Sequence, residues 1–536
     1  MILSGVIFLP IVFAIVLAAW PKTSSIRHLA LGFAVIEFIV SLGILSQFDA
    51  SLPTLQLVEK YEWIHRFGIS YFIGIDGISL MLVLLTTFLT PIIILGSWNS
   101  IDQKIKGFHV SLFLLQTAML GSFLALDAIL FYVFWELSLV PMYFMIGIWG
   151  GARRIYATIK FFIYTMAGSV LMLLAIIFMM QLTPEVTGGN ISASILDFYK
   201  LNIPFVGGEF FTAQTLLFFA FALAFAIKVP LFPLHTWLPD AHVEAPTPGS
   251  VVLAGVMLKM GTYGFLRWVI PMFPEATEHY AWIFIALGVI GIIYGALVAM
   301  VQPDIKKLVA YSSVSHMGYV IIGLFTMNAL GVNGSLYQML NHGISTGALF
   351  LLIGMIYERT HSREIAKYGG LASAMPWYTI FFVIITMSSI AVPMTNGFIG
   401  EFLILIGAYK YNPAVAAFSV TGVVLGAAYM LWMVKRVFFG PKGEIVQHSE
   451  HDKHHALDDL SVREWAVLVP MVIFVFWMGL FPNHFMRYSK ASVDYLITNK
   501  GNYNLVVSTP SLNNETVTEK NENHQPEISE SKSEGQ

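Results

Sequence analysis

The chain has 536 residues, 57% of them hydrophobic and only 11% charged, with a net charge of -3. Soluble domains carry about a quarter charged residues, so this composition excludes an ordinary soluble protein and implies a polytopic membrane protein. The balanced charge offers no footing for nucleic acid, and the absence of cysteine excludes thiolate-ligated iron–sulfur clusters, cysteine zinc sites and disulfides in this chain.

Crossing roughly 30 Å of hydrocarbon takes runs of about 18 or more apolar residues. About fourteen such segments are expected, centred near Phe13, Ile36, Thr87, Met119, Leu137, Val170, Ala220, Gly255, Leu287, Ser315, Ser345, Met387, Leu425 and Phe474. The first lacks a positive residue ahead of its apolar run and reads as a spanning helix, not a cleaved signal. Lys and Arg crowd the connections after odd-numbered segments, among them Lys22, Lys104, Lys106, Arg153, Arg154, Lys306 and Lys307. After even-numbered ones there are Lys60, Arg66, Lys200, Arg267 and Lys410. The positive-inside rule then puts the odd connections in the cytoplasm and both termini in the periplasm of a bacterial inner membrane. Beyond the last segment, 489–536 is expected to be a polar, disordered tail.

Four charges fall inside these segments: Glu136, Lys228, Lys259 and Glu401. Each costs roughly 2.5 to 3.5 kcal/mol to insert, on the order of 10 kcal/mol together, unless it is paired or watered, and such residues mark ion paths. Lys259 lies near the midplane of the eighth segment. Lys228 precedes Pro230, which removes an amide hydrogen and clashes with the Ala226 carbonyl, so the seventh helix should break there. Carbonyls freed at that depth need protein or water. The twelfth segment repeats the pattern, with Pro393, Asn396 and Gly397 ahead of Glu401.

Two broken, charged helices five positions apart predict two five-helix units, helices 4–8 and 9–13, the second inverted because each has an odd number of helices. The fold class expected is therefore all-α and polytopic, divided as 1–107 (helices 1–3), 108–270 (first repeat), 279–440 (second repeat), 441–488 (cytoplasmic loop and helix 14) and the tail. His316 and His342, inside helices and beside small polar residues, are candidate intermediate carriers because imidazole titrates near neutrality. Moving Glu136 toward or away from Lys228 would change the hold of Lys228 on its proton. Elsewhere, Lys160 reads as an anchor as readily as a carrier, and Glu37 as one half of a pair with another helix. His235, Asp240, His242 and Glu244 read as loop-fixing groups, not metal ligands. His448, His451, His454 and His455 sit in a solvated loop.

The stretch "WLPDAHVEAPTPGSVVLAGVMLKMGTYGFLR", with "GIDGISL", "FYVFWELSLVPMYF", "VAYSSVSHMGYV" and "NGFIGEFLIL", resembles the subunit M (chain 4) family of proton-pumping NADH:quinone oxidoreductase, respiratory complex I. The likeness runs from about residue 70 to 440. It implies an antiporter-like, Mrp-related subunit with Glu136 and Lys228 as acid and lysine of a first half-channel and Lys259 as central lysine. His316 and His342 would be the connecting histidines and Glu401 the terminal acid. Subunits L and N and the Mrp antiporters typically place lysine where Glu401 stands, which favours subunit M. Photosynthetic NDH complexes and membrane-bound hydrogenases share much of the pattern. The resemblance further implies that NADH, FMN, iron–sulfur clusters and quinone are held by partner subunits. No cofactor or metal would be bound by this chain. Its neighbours would be other membrane-arm subunits, L and N among them, with lipid around it and quinone engaged only indirectly. The alternative reading is a cation/proton antiporter subunit.

Overall fold

A computed structural model describes residues 1–207, 209, 211–451, 457–499, 503 and 505–507, without the side chains of residues 450 and 451. The chain starts with helices α1 (Ile2–Ala19) and α2 (Ile26–Leu42). A hairpin follows, β1 (Gln56–Ile64) and β2 (Ile69–Ile75), paired antiparallel with Tyr61 opposite Tyr71 and turned at Gly68, whose φ is 61°. Next come α3 (Leu80–Gly96), α4 (Ile105–Leu124), α5 (Ala128–Leu137), α6 (Leu139–Trp149), α7 (Arg154–Leu182), α8 (Ala213–Lys228) and α9 (Trp237–Glu244). The centre of the chain holds α10 (Thr247–Met272), α11 (Pro274–Met300), α12 (Ile305–Phe325) and α13 (Ala329–Thr360). It closes with α14 (Pro376–Ser389), α15 (Asn396–Tyr411), α16 (Pro413–Phe438), α17 (Val462–Leu480) and α18 (Asn483–Thr498).

Among the described residues, eleven helical stretches are long and apolar enough to cross a membrane, and three shorter apolar helices, α3, α8 and α14, accompany them. Every expected segment centre falls in a helix. The fold is mostly helical as expected, with the hairpin as a local addition: "QLVEKYEWI" and "ISYFIGI" are rich in β-branched and aromatic residues, a strand signal. The apolar middles of α10 and α13 are wholly buried, and α12 is nearly so. The flanks are apolar and exposed, as where Ile155, Ile159, Ile163, Val170 and Leu174 run along α7. Side chains of this kind facing outward belong against lipid hydrocarbon.

Local chemistry explains the boundaries. Asp127 caps α5 by accepting from the amides of Ile129 and Leu130, and Ser461 with Glu464 forms a capping box that starts α17. The fifth expected segment is two helices meeting at Ser138, because the ring of Pro141 obstructs the carbonyl of Leu137 four residues back. The seventh breaks at Lys228 as expected, but protein satisfies the freed groups: the Leu231 amide donates to the Ala226 carbonyl at 2.8 Å and the Trp237 indole to that of Ile227 at 2.8 Å.

Further corrections concern charges and the C-terminus. Arg267 and Lys306, read as loop residues, are buried within α10 and α12. Glu37 has no pair among the described residues: both of its oxygens are buried without hydrogen bonds. Lys160 does pair, with Asp240 at 2.8 Å, while Glu244 accepts from the Arg153 amide, so both acids fix the Pro-rich connection. Residues 489–498, expected in a disordered tail, complete the amphipathic helix α18, and Tyr503 and Leu505 are buried. Residues 500–502, 504 and 508–536 of that tail lie outside the described residues, as do His454 and His455; His448 is exposed on a short helix, Glu444–His451. Both described ends meet the hairpin face, the Met1 amine 3.0 Å from Glu59 and the Leu55 amide 3.0 Å from the Val506 carbonyl.

Candidate functional site

Lys259 occupies the middle of α10 and has no exposed surface. Around it α10 is not a regular α-helix: Leu253–Met257 and Phe265–Val269 are wider π turns on either side. Such turns loosen the backbone ladder and are frequent at functional positions. The Lys259 ammonium donates to the Ala254 carbonyl in the first of them and meets His342 Nδ1 at 2.8 Å. Close approach of α10 and α13 makes this contact. A Cβ on Gly343 would lie 2.7 Å from Leu85 and 3.0 Å from the Gly255 carbonyl.

From His342 the polar run continues along α13 and α12. The rings of His342 and His316 are 5.9 Å apart, and the Nε2 atom of each is buried without a partner among the described residues. Both line a cavity of about 10 Å³ with Asn341, Ser345, Ser388 and Gly397, about the room one water needs. His316 Nδ1 meets Glu401 Oε1 at 2.9 Å, and Gln338 Nε2 donates to the same oxygen at 3.0 Å. Asn341 ties Gln338 to the carbonyl of Asn396, and Ser388 donates to the Asn396 side chain. The break between α14 and α15 thus turns the start of α15 inward and delivers Glu401 to the histidine. Gln338, Asn341, His342 and Ser345 recur at helical spacing and share one face of α13.

Lys228, at the C-terminus of α8, is also buried. It is not in ion-pair contact with Glu136; its ammonium donates to Ser138 Oγ at 3.1 Å and sits 4.7 Å from the centre of the Trp135 ring. Glu136 is half-buried, one oxygen lacking a hydrogen bond among the described residues. The predicted residues therefore fall into two groups: Lys259, His342, His316 and Glu401 in a run of contacts, and Glu136 with Lys228 about the Ser138 break. No hydrogen bond joins the groups among the described residues. Ser138 and Gln338 were missed from sequence; Pro141 signals the first and the period of α13 the second.

The family model described as "NADH:quinone oxidoreductase/Mrp antiporter, TM" matches residues 125–426, and "NADH-ubiquinone oxidoreductase chain 4, amino terminus" matches 6–126. NADH-quinone oxidoreductase subunit M of Rhodobacter capsulatus is 46% identical, the match covering 93% of this chain and 96% of the relative. The chain belongs to the subunit M family of NADH-quinone oxidoreductase. Within the subunit M family, chain 4 of the Arabidopsis thaliana NADH-ubiquinone oxidoreductase is 43% identical over 92% of this chain and 97% of its own. A chain in the structure titled "Respiratory complex I from Thermus thermophilus with bound NADH" superposes with a TM-score of 0.82 at 30% identity. It covers 94% of this chain and 100% of that one. A chain of the Mrp complex from a Dietzia species has a TM-score of 0.76 at 20% identity, covering 92% of this chain and 52% of its own, and shares the fold.

Proposed function

We propose that this chain is a proton-translocating membrane-arm subunit of an NADH:quinone oxidoreductase, with Glu136, Lys228, Lys259, His316, His342 and Glu401 as the proton relay. The observation that carries the reading is the buried run of contacts from Lys259 through His342 and His316 to Glu401. A proton on the Lys259 ammonium passes to His342 Nδ1 across a hydrogen bond. His342 then offers its Nε2 hydrogen toward the small cavity and, through a single water, to His316 Nε2. His316 Nδ1 in turn gives a proton to Glu401 Oε1. Each step exchanges a bond to hydrogen between neighbouring groups and needs no redox centre.

In this reading the chain is a translocase subunit, and NADH, FMN, iron–sulfur clusters and quinone belong to partners. Its neighbours are other complex I subunits, L and N among them, and the units 108–270 and 279–440 are inverted repeats with the termini periplasmic. One elementary charge crossing 100 mV requires about 2.3 kcal/mol, which redox chemistry elsewhere supplies. The test is to purify the assembly with and without Lys259→Ala and follow NADH-driven quinone reduction and proton uptake in sealed vesicles together. An assembled variant that loses pumping, with oxidation slowed by coupling, supports the relay. Unchanged pumping sinks the role of Lys259, and sodium–proton exchange without NADH oxidation replaces the reading by an antiporter.

A further inference from the structure

Two turns beyond Lys259, α10 carries a second buried charge outside the relay. Arg267 Nη2 lies 2.6 Å from Asp76 Oδ1, and the two side chains are 1% and 0% exposed. Lys259, Tyr263 and Arg267 follow at intervals of four, and the Arg267 Nε donates to the Tyr263 hydroxyl at 3.2 Å. At 1.5 Å per residue the charge sits about 12 Å along the helix from Lys259. Beyond it is a cavity of about 410 Å³, lined by Tyr199, Tyr503, Gln214, Glu275 and Glu278 among others; both acids are exposed. Tyr199 belongs to both places: it lines the cavity, donates to the Arg267 carbonyl at 2.7 Å and packs edge-on against Tyr503 at 5.2 Å.

The C-terminal residues close this corner. Ser492 of α18 accepts from the Gly77 amide, next to Asp76. A Cβ on Gly77 would lie 2.1 Å from the Tyr488 carbonyl, so α18 rests directly on the Asp76 turn. Stability alone does not explain such a pair. Buried ion pairs are often no better than apolar replacements, and this one leaves Asp76 Oδ2 and Arg267 Nη1 without hydrogen bonds among the described residues. Arginine does not give up its proton. It cannot relay, but its fixed charge repels a passing proton, as arginine does in selective pores.

We infer that Arg267, held by Asp76 and covered by α18 and Tyr503, is an electrostatic plug that separates Lys259 from an aqueous vestibule formed by the cavity at Glu275 and Glu278. This rests on the proton-translocation reading, but the leak it prevents is measured without turnover. The assembled complex in sealed vesicles would be given a potassium diffusion potential and no NADH, and proton influx recorded. The charge-neutral pair Asp76→Asn with Arg267→Gln is expected to raise passive influx about tenfold or more, the equivalent of about 1.4 kcal/mol of barrier. Arg267→Lys should stay as tight as the parent. Tyr503→Ala, which uncovers the pair without touching it, should also leak and serves if the paired variant does not assemble. Assembled variants as tight as the parent overturn the plug, and Arg267→Lys leaking like the neutral pair would make packing, not charge, the barrier. Because the chain has no cysteine, Glu278→Cys gives a single site on it: labelling by an impermeant maleimide from the face bearing the hairpin supports the vestibule, and no labelling from that face overturns it. Loss of NADH-driven pumping in the Lys259 variant is scored separately, so the plug and the relay fail independently.

Discussion

Replacing Gly397 by alanine tests whether the broken twelfth helix exists to place Glu401. The added Cβ would lie 2.1 Å from the Ser388 carbonyl oxygen, where ordinary contact begins at 3.4 Å. That neighbour is backbone, so α15 itself must move by on the order of 1 Å, at a cost of about 1 to 3 kcal/mol. Glu401 is one turn further along α15, and its 2.9 Å contact with His316 has little tolerance, since a hydrogen bond is lost by about 3.6 Å. Losing a charge-assisted bond is worth about 1.5 to 3 kcal/mol, which translates to a pumping rate lower by about tenfold to a hundredfold. The assay is initial proton uptake in sealed vesicles, with subunit content and detergent-activated NADH oxidation confirming assembly. A Gly397→Ala assembly that pumps at the parent rate would refute the reasoning, because the steric conflict would then have been relieved without disturbing the acid.

Ser138→Ala removes the hydroxyl that accepts from Lys228; a loss of about 1 to 3 kcal/mol predicts slower pumping with normal assembly, read from the same vesicles, while Ser138→Thr should retain most of it. Asp127 is buried and accepts from Ser70 as well as capping α5. Burial holds its carboxyl above the usual carboxylate range, although those hydrogen bonds oppose the rise. The folded form therefore keeps the proton more tightly than the unfolded one, so this group's contribution to stability falls as pH rises from the unfolded value, about 3.9, through the raised one. Relative to the parent, Asp127→Asn should resist heat inactivation better near pH 7 than near pH 4, about the unfolded value. Asp127→Ala, which loses the cap, should be less stable at both by about 1 kcal/mol or more.

Much of the site was legible because a membrane makes charge conspicuous. Lys228, Lys259 and Glu401 stand out in apolar runs, and Pro230 and Pro393 announce the breaks through the chemistry of one ring. The same elementary rule applied to Pro141 would have divided the fifth segment and pointed to Ser138. Helical spacing puts Gln338, Asn341 and Ser345 on the same face as His342, a signal that would have found Gln338, although of the four only His342 was singled out from the sequence. These are local properties, set by a residue and its near neighbours in the chain. Which charges meet is not local. Lys259 touching His342, Arg267 seated on Asp76 and α18 lying on the Asp76 turn join residues 83, 191 and 415 positions apart, pairings chosen by how small residues let helices approach and by where a buried charge can be satisfied. The sequence by itself determined the spans, the breaks and the candidate carriers. Tertiary packing alone decided that Lys228 rests on a serine, that four of the candidate carriers form one run, and that Arg267 lies between Lys259 and the cavity at Glu275.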